Sequence, residues 1–226
     1  MRYEVFGETL PAVTIFLENG ESIYTQSGGM SWMSSGMKME TNMKGGLLKG
    51  LGRMISGESM FLATYTAEGN NQSITLASKF PGGIVALDVT GKTYIGQKNA
   101  FLCAEPDVKV EVTMPKGLKA GLFGGEGFIM QKFSGSGHIF LELDGSIKVM
   151  DLAPGEKIIV DTGNVALYES TVQYSAEMVK GFKNILFGGE GLFLTTLEGP
   201  GRVWLQTMSL TGFAGSLAPF LATSNK

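Results

Sequence analysis

Residues 116–127 read KGLKAGLFGGEG and residues 180–191 read KGFKNILFGGEG, so one glycine-rich pattern occurs twice in the chain. A weaker copy, KGLGRMISGES, covers residues 49–59. The two closer copies begin 64 positions apart, and the same offset separates Gly135 from Gly199 and Gly137 from Gly201. A constant offset of this kind is hard to obtain by chance, so the sequence predicts an internal repeat.

The repeated pattern divides the chain into three units, at about residues 12–87, 88–151 and 152–210. Each unit contains short apolar runs bounded by Gly, Pro, Asn or Asp, which is typical of strands joined by tight turns. Three β-sheet modules of this length usually close about a pseudo-threefold axis, because closure removes exposed sheet edges. The sequence therefore predicts a single all-β domain, residues 1–226, built of three repeats around such an axis.

Two details of this architecture can be predicted at the chain ends and in the first unit. The strand-like run at residues 12–17 is expected to complete the third module and so to tie the two ends of the chain together. The one stretch with a helical pattern is short and covers residues 46–54. Elsewhere the pattern favours strands throughout.

Composition and charge disfavour several classes of protein. The net charge of −3 gives no overall attraction for phosphate backbones, so nucleic acid is disfavoured as a partner. A single cysteine, Cys103, cannot form an internal disulfide, and a reducing cytoplasm is the simplest location for it. No run of about 18 apolar residues and no signal-peptide pattern is present, so we expect an untargeted protein without a transmembrane segment. A peripheral contact with a membrane stays open.

The late glycine motif resembles a known family. LFGGEGLFL at residues 186–194, followed by GPGRVWLQ at residues 199–206, is similar to the signature of the mitochondrial-biogenesis family called "altered inheritance of mitochondria". The resemblance spans nearly the whole chain and implies a bacterial or archaeal member of unknown function. It also implies an all-β fold similar to that of the tryptophan RNA-binding attenuation protein, which is grouped with double-stranded β-helix architectures. Fungal relatives are linked to the mitochondrial inner membrane, but the targeting extension that they carry is not expected in this chain.

Each copy of the glycine motif contains a Gly-Glu pair, and the three glutamates are Glu58, Glu126 and Glu190. Three repeats about an axis would place these carboxylates in equivalent positions, where they could bind a hard cation or share protons. The alternative is that each glutamate caps backbone N–H groups in its own turn or pairs with the lysine that begins each copy. Repeated turn residues usually serve the turn, so the alternative is favoured.

A methionine-rich segment in the first unit is the second candidate site. Its candidate interaction surface consists of Met30, Trp32, Met33, Met37 and Met39. Flexible methionines around an aromatic residue suit an adaptable binding surface. They also fill cores well, and the spacing of Met37 and Met39 is what a one-sided strand would show. Both interpretations stay open at this point.

The sequence points to no catalytic machinery and no cofactor. His138 is the single histidine, and its position after Gly137 predicts a surface residue or the start of a strand. Cys103 lies in the apolar run AFLCA and is expected to be a buried, inert thiol. We therefore expect a non-enzymatic structural or interaction protein that forms homo-oligomers or binds an unidentified protein. The alternative is a small-ligand or RNA-binding module with the fold of the attenuation protein.

Overall fold

The computed structural model of the protein describes residues 1–26, 28–41, 62–113, 129–178 and 193–221. Almost all regular structure in these residues is β-strand, arranged in several antiparallel sheets. The prediction of an all-β chain is therefore confirmed. The prediction of one domain stays a prediction.

The first stretch, residues 12–77, is preceded by one further strand. Its strands, with that N-terminal one, are β1 (Arg2–Phe6), β2 (Ala12–Leu17), β3 (Ser22–Gln26), β4 (Met30–Met33), β5 (Met37–Thr41), β6 (Leu62–Ala67) and β7 (Gln72–Ala77). Within the stretch, β2 and β4 both pair with β7, and β3 and β5 both pair with β6. The strand β1 pairs with the outer edge of β2.

The middle stretch, residues 82–144, also contains six strands. Its strands are β8 (Gly82–Asp88), β9 (Tyr94–Gln97), β10 (Phe101–Ala104), β11 (Val108–Thr113), β12 (Met130–Gly135) and β13 (His138–Asp144). Here β8 and β10 both pair with β13, and β9 and β11 both pair with β12.

The last stretch, residues 147–206, is followed by a helix. Its strands are β14 (Ile147–Leu152), β15 (Lys157–Asp161), β16 (Val165–Glu169), β17 (Gln173–Met178), β18 (Phe193–Glu198) and β19 (Gly201–Gln206). In it β14 and β16 both pair with β19, and β15 and β17 both pair with β18.

Two further ladders join the stretches into larger sheets. The pair β3–β10 links the first stretch to the middle one, and β9–β16 links the middle stretch to the last. The resulting sheets have the strand orders β1-β2-β7-β4 (sheet A), β5-β6-β3-β10-β13-β8 (sheet B), β11-β12-β9-β16-β19-β14 (sheet C) and β15-β18-β17 (sheet D). Sheet A thus ends at β4 and sheet D at β15.

Three hydrophobic clusters form between the sheets, because alternate side chains of each strand point to the same face. The first core contains Val13, Ile15 and Ile74 of sheet A together with Ile23 and Tyr65 of sheet B. The middle core contains residues such as Phe101, Phe133, Ile139, Leu141 and Trp204. The last core contains Met130, Leu152, Tyr168, Leu197 and Val203.

The turns follow the glycine pattern of the sequence. Gly145 and Gly155 both have positive φ, at 70° and 78°, where glycine avoids the steric cost of a side chain. Gly135 is required for a second reason, since a Cβ there would lie 2.2 Å from the backbone oxygen of Asp107. A side chain at Gly135 would therefore push β12 away from the chain that precedes β11.

Two details of the sequence-based fold are corrected. The strand at residues 12–17 pairs with β1 and β7, both within residues 2–77, and does not complete a module at the other end of the chain. A helix that was not predicted, α1 (Leu210–Leu217), follows the last stretch. Ser209 caps it, because its Oγ accepts a hydrogen bond from the Gly212 N–H at 3.2 Å. The predicted helical pattern at residues 46–54 lies outside the described residues.

Candidate functional site

The three repeated glutamates, Glu58, Glu126 and Glu190, lie outside the described residues, and their two interpretations stay predictions. The segments that contain them connect β5 to β6, β11 to β12 and β17 to β18. Each of these strand pairs is an antiparallel hairpin. Among the residues that the structure describes, no group of three or more His, Cys, Asp or Glu could hold a metal ion.

The methionine-rich segment forms β4 and β5, and the structure divides it between core and surface. Met37 is only 6% exposed and belongs to the first core. Met30 and Met33 are half-buried and pack against the same core. Trp32 and Met39 are 56% and 50% exposed. Both interpretations of this segment therefore apply, each to different residues.

Trp32 is the largest exposed side chain of the segment. Its indole lies 6.4 Å from the ring of Phe6 in β1, which is itself exposed. The ladder between β4 and β7 has a register shift between Met30 and Trp32. Trp32 thus follows a bulge on β4, which is an edge strand of sheet A among the described residues, and bulges commonly redirect a side chain.

A second exposed apolar residue lies on the edge of sheet D. Ile159, in the middle of β15, is 70% exposed, whereas its neighbours Ile158 and Val160 pack against the last core. Among the described residues, β15 forms a ladder with β18 alone. Ile159 could not be singled out from the sequence, because its exposure depends on which strand pairs with the other edge of β15.

The histidine and the cysteine have structural surroundings. His138 begins β13, as predicted, and its backbone N–H donates to the Glu105 carboxylate, whose Oε2 also lies 3.1 Å from His138 Nδ1. Cys103 is fully buried, which confirms the predicted burial, and burial raises the pKa of its thiol. A thiol with a raised pKa is a poor nucleophile at neutral pH.

Other carboxylates also serve the fold. Glu169 Oε2 accepts from the backbone N–H of Arg202 at 3.0 Å, as Glu105 does from that of His138. Glu142 accepts from the Lys79 backbone N–H at 3.0 Å, and burial raises the pKa of its carboxyl. At the surface, the Arg202 guanidinium forms a bidentate pair with Asp151 at 2.7 and 3.0 Å and lowers the pKa of that carboxyl.

Comparison with known proteins places the chain in a family. Residues 3–208 match the family described as Mitochondrial biogenesis AIM24. The chain belongs to this family. An uncharacterized protein of Streptococcus pyogenes serotype M6 is 34% identical over 224 residues, which cover 95% of this chain and 88% of that protein. The relatives of this AIM24 chain thus include a bacterial protein, as the resemblance implied.

A solved structure supports the fold of the AIM24 chain. The X-ray crystal structure of another Streptococcus pyogenes protein matches with a TM-score of 0.77 and 29% sequence identity. The match covers 97% of this chain and 99% of that protein. In the described part of this AIM24 chain, no helix is long and apolar enough to cross a membrane.

Proposed function

We propose that this protein is a non-enzymatic structural or interaction protein that associates with itself through the free edges of its sheets. The observation that carries the proposal is the exposure of large apolar side chains on edge strands, with Trp32 on β4 and Ile159 on β15. An unpaired strand edge offers a row of backbone N–H and C=O groups to another strand. An apolar side chain beside that row adds buried area when the partner docks.

A non-enzymatic role is supported by how the titratable side chains are used. Glu105, Glu169 and Glu142 each accept a hydrogen bond from a backbone N–H of another strand or turn. These contacts give backbone donors their hydrogen-bond partners, which is a structural task. A cytoplasmic location belongs to the same proposal, since the buried Cys103 thiol needs no oxidising environment.

We further propose that the three stretches are copies of one six-stranded unit. The support is the order of pairing, since in each stretch the first and third strands pair with the sixth, and the second and fourth pair with the fifth. On this basis the units are residues 12–77, 82–144 and 147–206, so that β8 and β14 each belong with the strands that follow them. The pseudo-threefold axis and the likeness to the attenuation protein remain predictions, because closure would need a further ladder between β15 and β4.

Size-exclusion chromatography with light scattering tests the self-association. We expect species larger than the 24.1 kDa chain at tens of micromolar, with a mass that falls on dilution. A chain that is strictly monomeric over this range would contradict the proposal. A thermal-shift screen with amino acids, nucleotides and metals, together with an RNA mobility-shift assay at low salt, tests the alternative. A saturable response there would favour a ligand-binding or RNA-binding module.

A further inference from the structure

The two ladders that join the stretches have the same construction. In the first, Cys103 pairs with Thr25 and Ala104 with Tyr24. In the second, Leu167 pairs with Gly96 and Tyr168 with Ile95. In each case the third strand of a unit, β10 or β16, pairs with the second strand of the unit before it, β3 or β9. We call such a ladder a junction.

The third strands of all three units carry the same irregularity. The ladder to the sixth strand shifts register between Phe101 and Cys103 in β10, and between Val165 and Leu167 in β16. In β4 the shift falls between Met30 and Trp32. Trp32 therefore corresponds to Cys103 and Leu167, and Met33 corresponds to Ala104 and Tyr168.

At each junction the two units exchange one side chain between their cores. Tyr24 of the first stretch packs in the middle core, while Cys103 of the middle stretch packs in the first core. Likewise Ile95 of the middle stretch packs against the last core, and Leu167 of the last stretch packs in the middle core. Each junction thus buries one residue from either side in the neighbouring unit.

The residues that would make this exchange at a third junction are the exposed ones. The 64-residue offset that relates Gly135 to Gly199 relates Ile95 to Ile159, so Ile159 corresponds to Tyr24 and Ile95. Ile159 is 70% exposed and Trp32 is 56% exposed, although Cys103, Leu167 and Tyr24 are buried. Their neighbours Ile158 and Met33 pack against the cores of their own units, as in the completed junctions.

We propose that β15 of one chain pairs antiparallel with β4 of a second copy of the same chain, with Ile159 opposite Met33 and Val160 opposite Trp32. The inference rests on the proposed self-association and adds its partner, surface and register. Ile159 then enters the first core of the second copy, and Trp32 of that copy packs against the last core of the first. We choose a second copy of this chain as the partner because the strands that pair at both completed junctions belong to this chain. Among its described residues, β15 and β4 do not pair with each other.

Such an interface is heterologous, since each chain uses β15 on one side and β4 on the other. Heterologous contacts produce rings when the rotation closes and open chains of subunits when it does not. One chain with a blocked β4 still has a free β15, and one with a blocked β15 still has a free β4. This asymmetry provides a test that a symmetric contact would fail.

The experiment uses Trp32→Lys and Ile159→Lys, because lysine on an edge strand opposes strand addition and both positions are exposed enough to accept it. Each variant alone should be monomeric in light scattering, with association weakened by roughly 100-fold or more. Mixed together, they should form a 1:1 complex through the two unblocked edges. Val112→Lys, at an exposed position on the edge strand β11, is the matched control and should associate like wild type.

Cysteine cross-linking checks the register. A chain with Met33→Cys mixed with a chain with Ile159→Cys should give a disulfide-linked pair, and a Met33→Cys chain mixed with Lys157→Cys should give far less. Circular dichroism and thermal unfolding establish that every variant is folded. A disulfide that forms within one chain carrying both Met33→Cys and Ile159→Cys would overturn the inference in favour of ring closure inside the monomer.

The outcomes separate this inference from the proposed function. A monomeric wild-type chain would overturn both. A wild-type oligomer that survives Trp32→Lys and Ile159→Lys would keep the self-association and overturn the β15–β4 contact. Two monomeric variants that do not form a complex on mixing would also overturn the contact, because a head-to-tail contact requires that they complement each other.

Discussion

Cys103 in β10 and Trp32 in β4 follow the same register shift in their strands, yet Cys103 is fully buried and Trp32 is exposed. The difference lies in what pairs with the other edge, since β10 has β3 as a neighbour and β4 ends its sheet. A position that is buried in β10 is thus exposed in β4, although both follow a register shift in their strands. The residue types agree with this, because a small thiol fits the packed position and a large indole suits a docking surface.

The largest effect should come from truncating a buried side chain next to Cys103. Phe140 lies opposite Cys103 and is fully buried, so Phe140→Ala should lower the free energy of unfolding by about 3–5 kcal/mol. The control is Trp32→Ala in an Ile159→Lys background, where we expect a change within about 0.5 kcal/mol. Urea denaturation measures both. Equal losses in the free energy of unfolding for Phe140→Ala and Trp32→Ala would mean that the difference in exposure has no effect on stability.

The next largest effect should be the difference in thiol reactivity between position 103 and position 32. Native Cys103 is fully buried with a raised pKa, so it should react with a disulfide reagent at pH 8 only through opening of the fold. In Trp32→Cys, combined with Ile159→Lys so that β4 is not covered by a second copy, the new thiol should react roughly 100-fold faster or more. Absorbance of the released thiol follows both rates in one sample. A Cys103 as reactive as the residue at position 32 would break the comparison.

A smaller effect should follow from removing one hydrogen bond at the completed junction. Thr25 is buried opposite Cys103, and its Oγ1 donates to the Leu102 backbone oxygen at 2.6 Å. Thr25→Val keeps the shape but leaves that oxygen without its partner, so we expect a loss of about 1–2 kcal/mol. Val160→Thr, at the corresponding half-buried position of the free edge, should cost less. A larger loss at Val160 would show that β15 is already packed within the monomer.

The smallest effect concerns Glu142, two residues beyond Phe140 in β13. Burial raises the pKa of its carboxyl, so the ionised form is disfavoured in the folded chain. The protonated carboxyl therefore contributes fully to the free energy of unfolding at pH values below its ordinary pKa. This contribution is lost as the pH rises through the raised pKa. Glu142→Gln should therefore be more stable than wild type at pH 7, by under about 1 kcal/mol, and this advantage should vanish in acid. Denaturation across pH would show the opposite trend if the Lys79 contact dominated.

Sequence alone was enough for the strands that glycine and proline turns delimit. The apolar run KIIVD at residues 157–161 follows a turn marked by Pro154 and Gly155, and it forms β15 over the same residues. The helix α1 was missed because its sequence, LTGFAGSL, contains two glycines and has low helix propensity. A tertiary contact supports the helix, since the ring of Phe213 lies 6.3 Å from that of Phe80.

The candidate surface could be predicted only in part for the same reason. Trp32 and Met37 belong to one methionine-rich segment, and no periodicity in it separates the exposed residue from the buried one. Ile159 follows another isoleucine, in a strand whose apolar residues also favour a position in the core. Its exposure is decided by the strand that pairs with β15, which lies outside any local window of sequence.

The glutamate contacts at the start of β13 and β19 have a consequence for which residues can begin these strands. Glu105 and Glu169 accept from the backbone N–H groups of His138 and Arg202, which every residue except proline can offer. The backbone contact therefore depends on the glutamate acceptor and only excludes proline at the donor position. His138 and Arg202, which stand 64 residues apart, show that two different side chains are compatible with the same backbone contact.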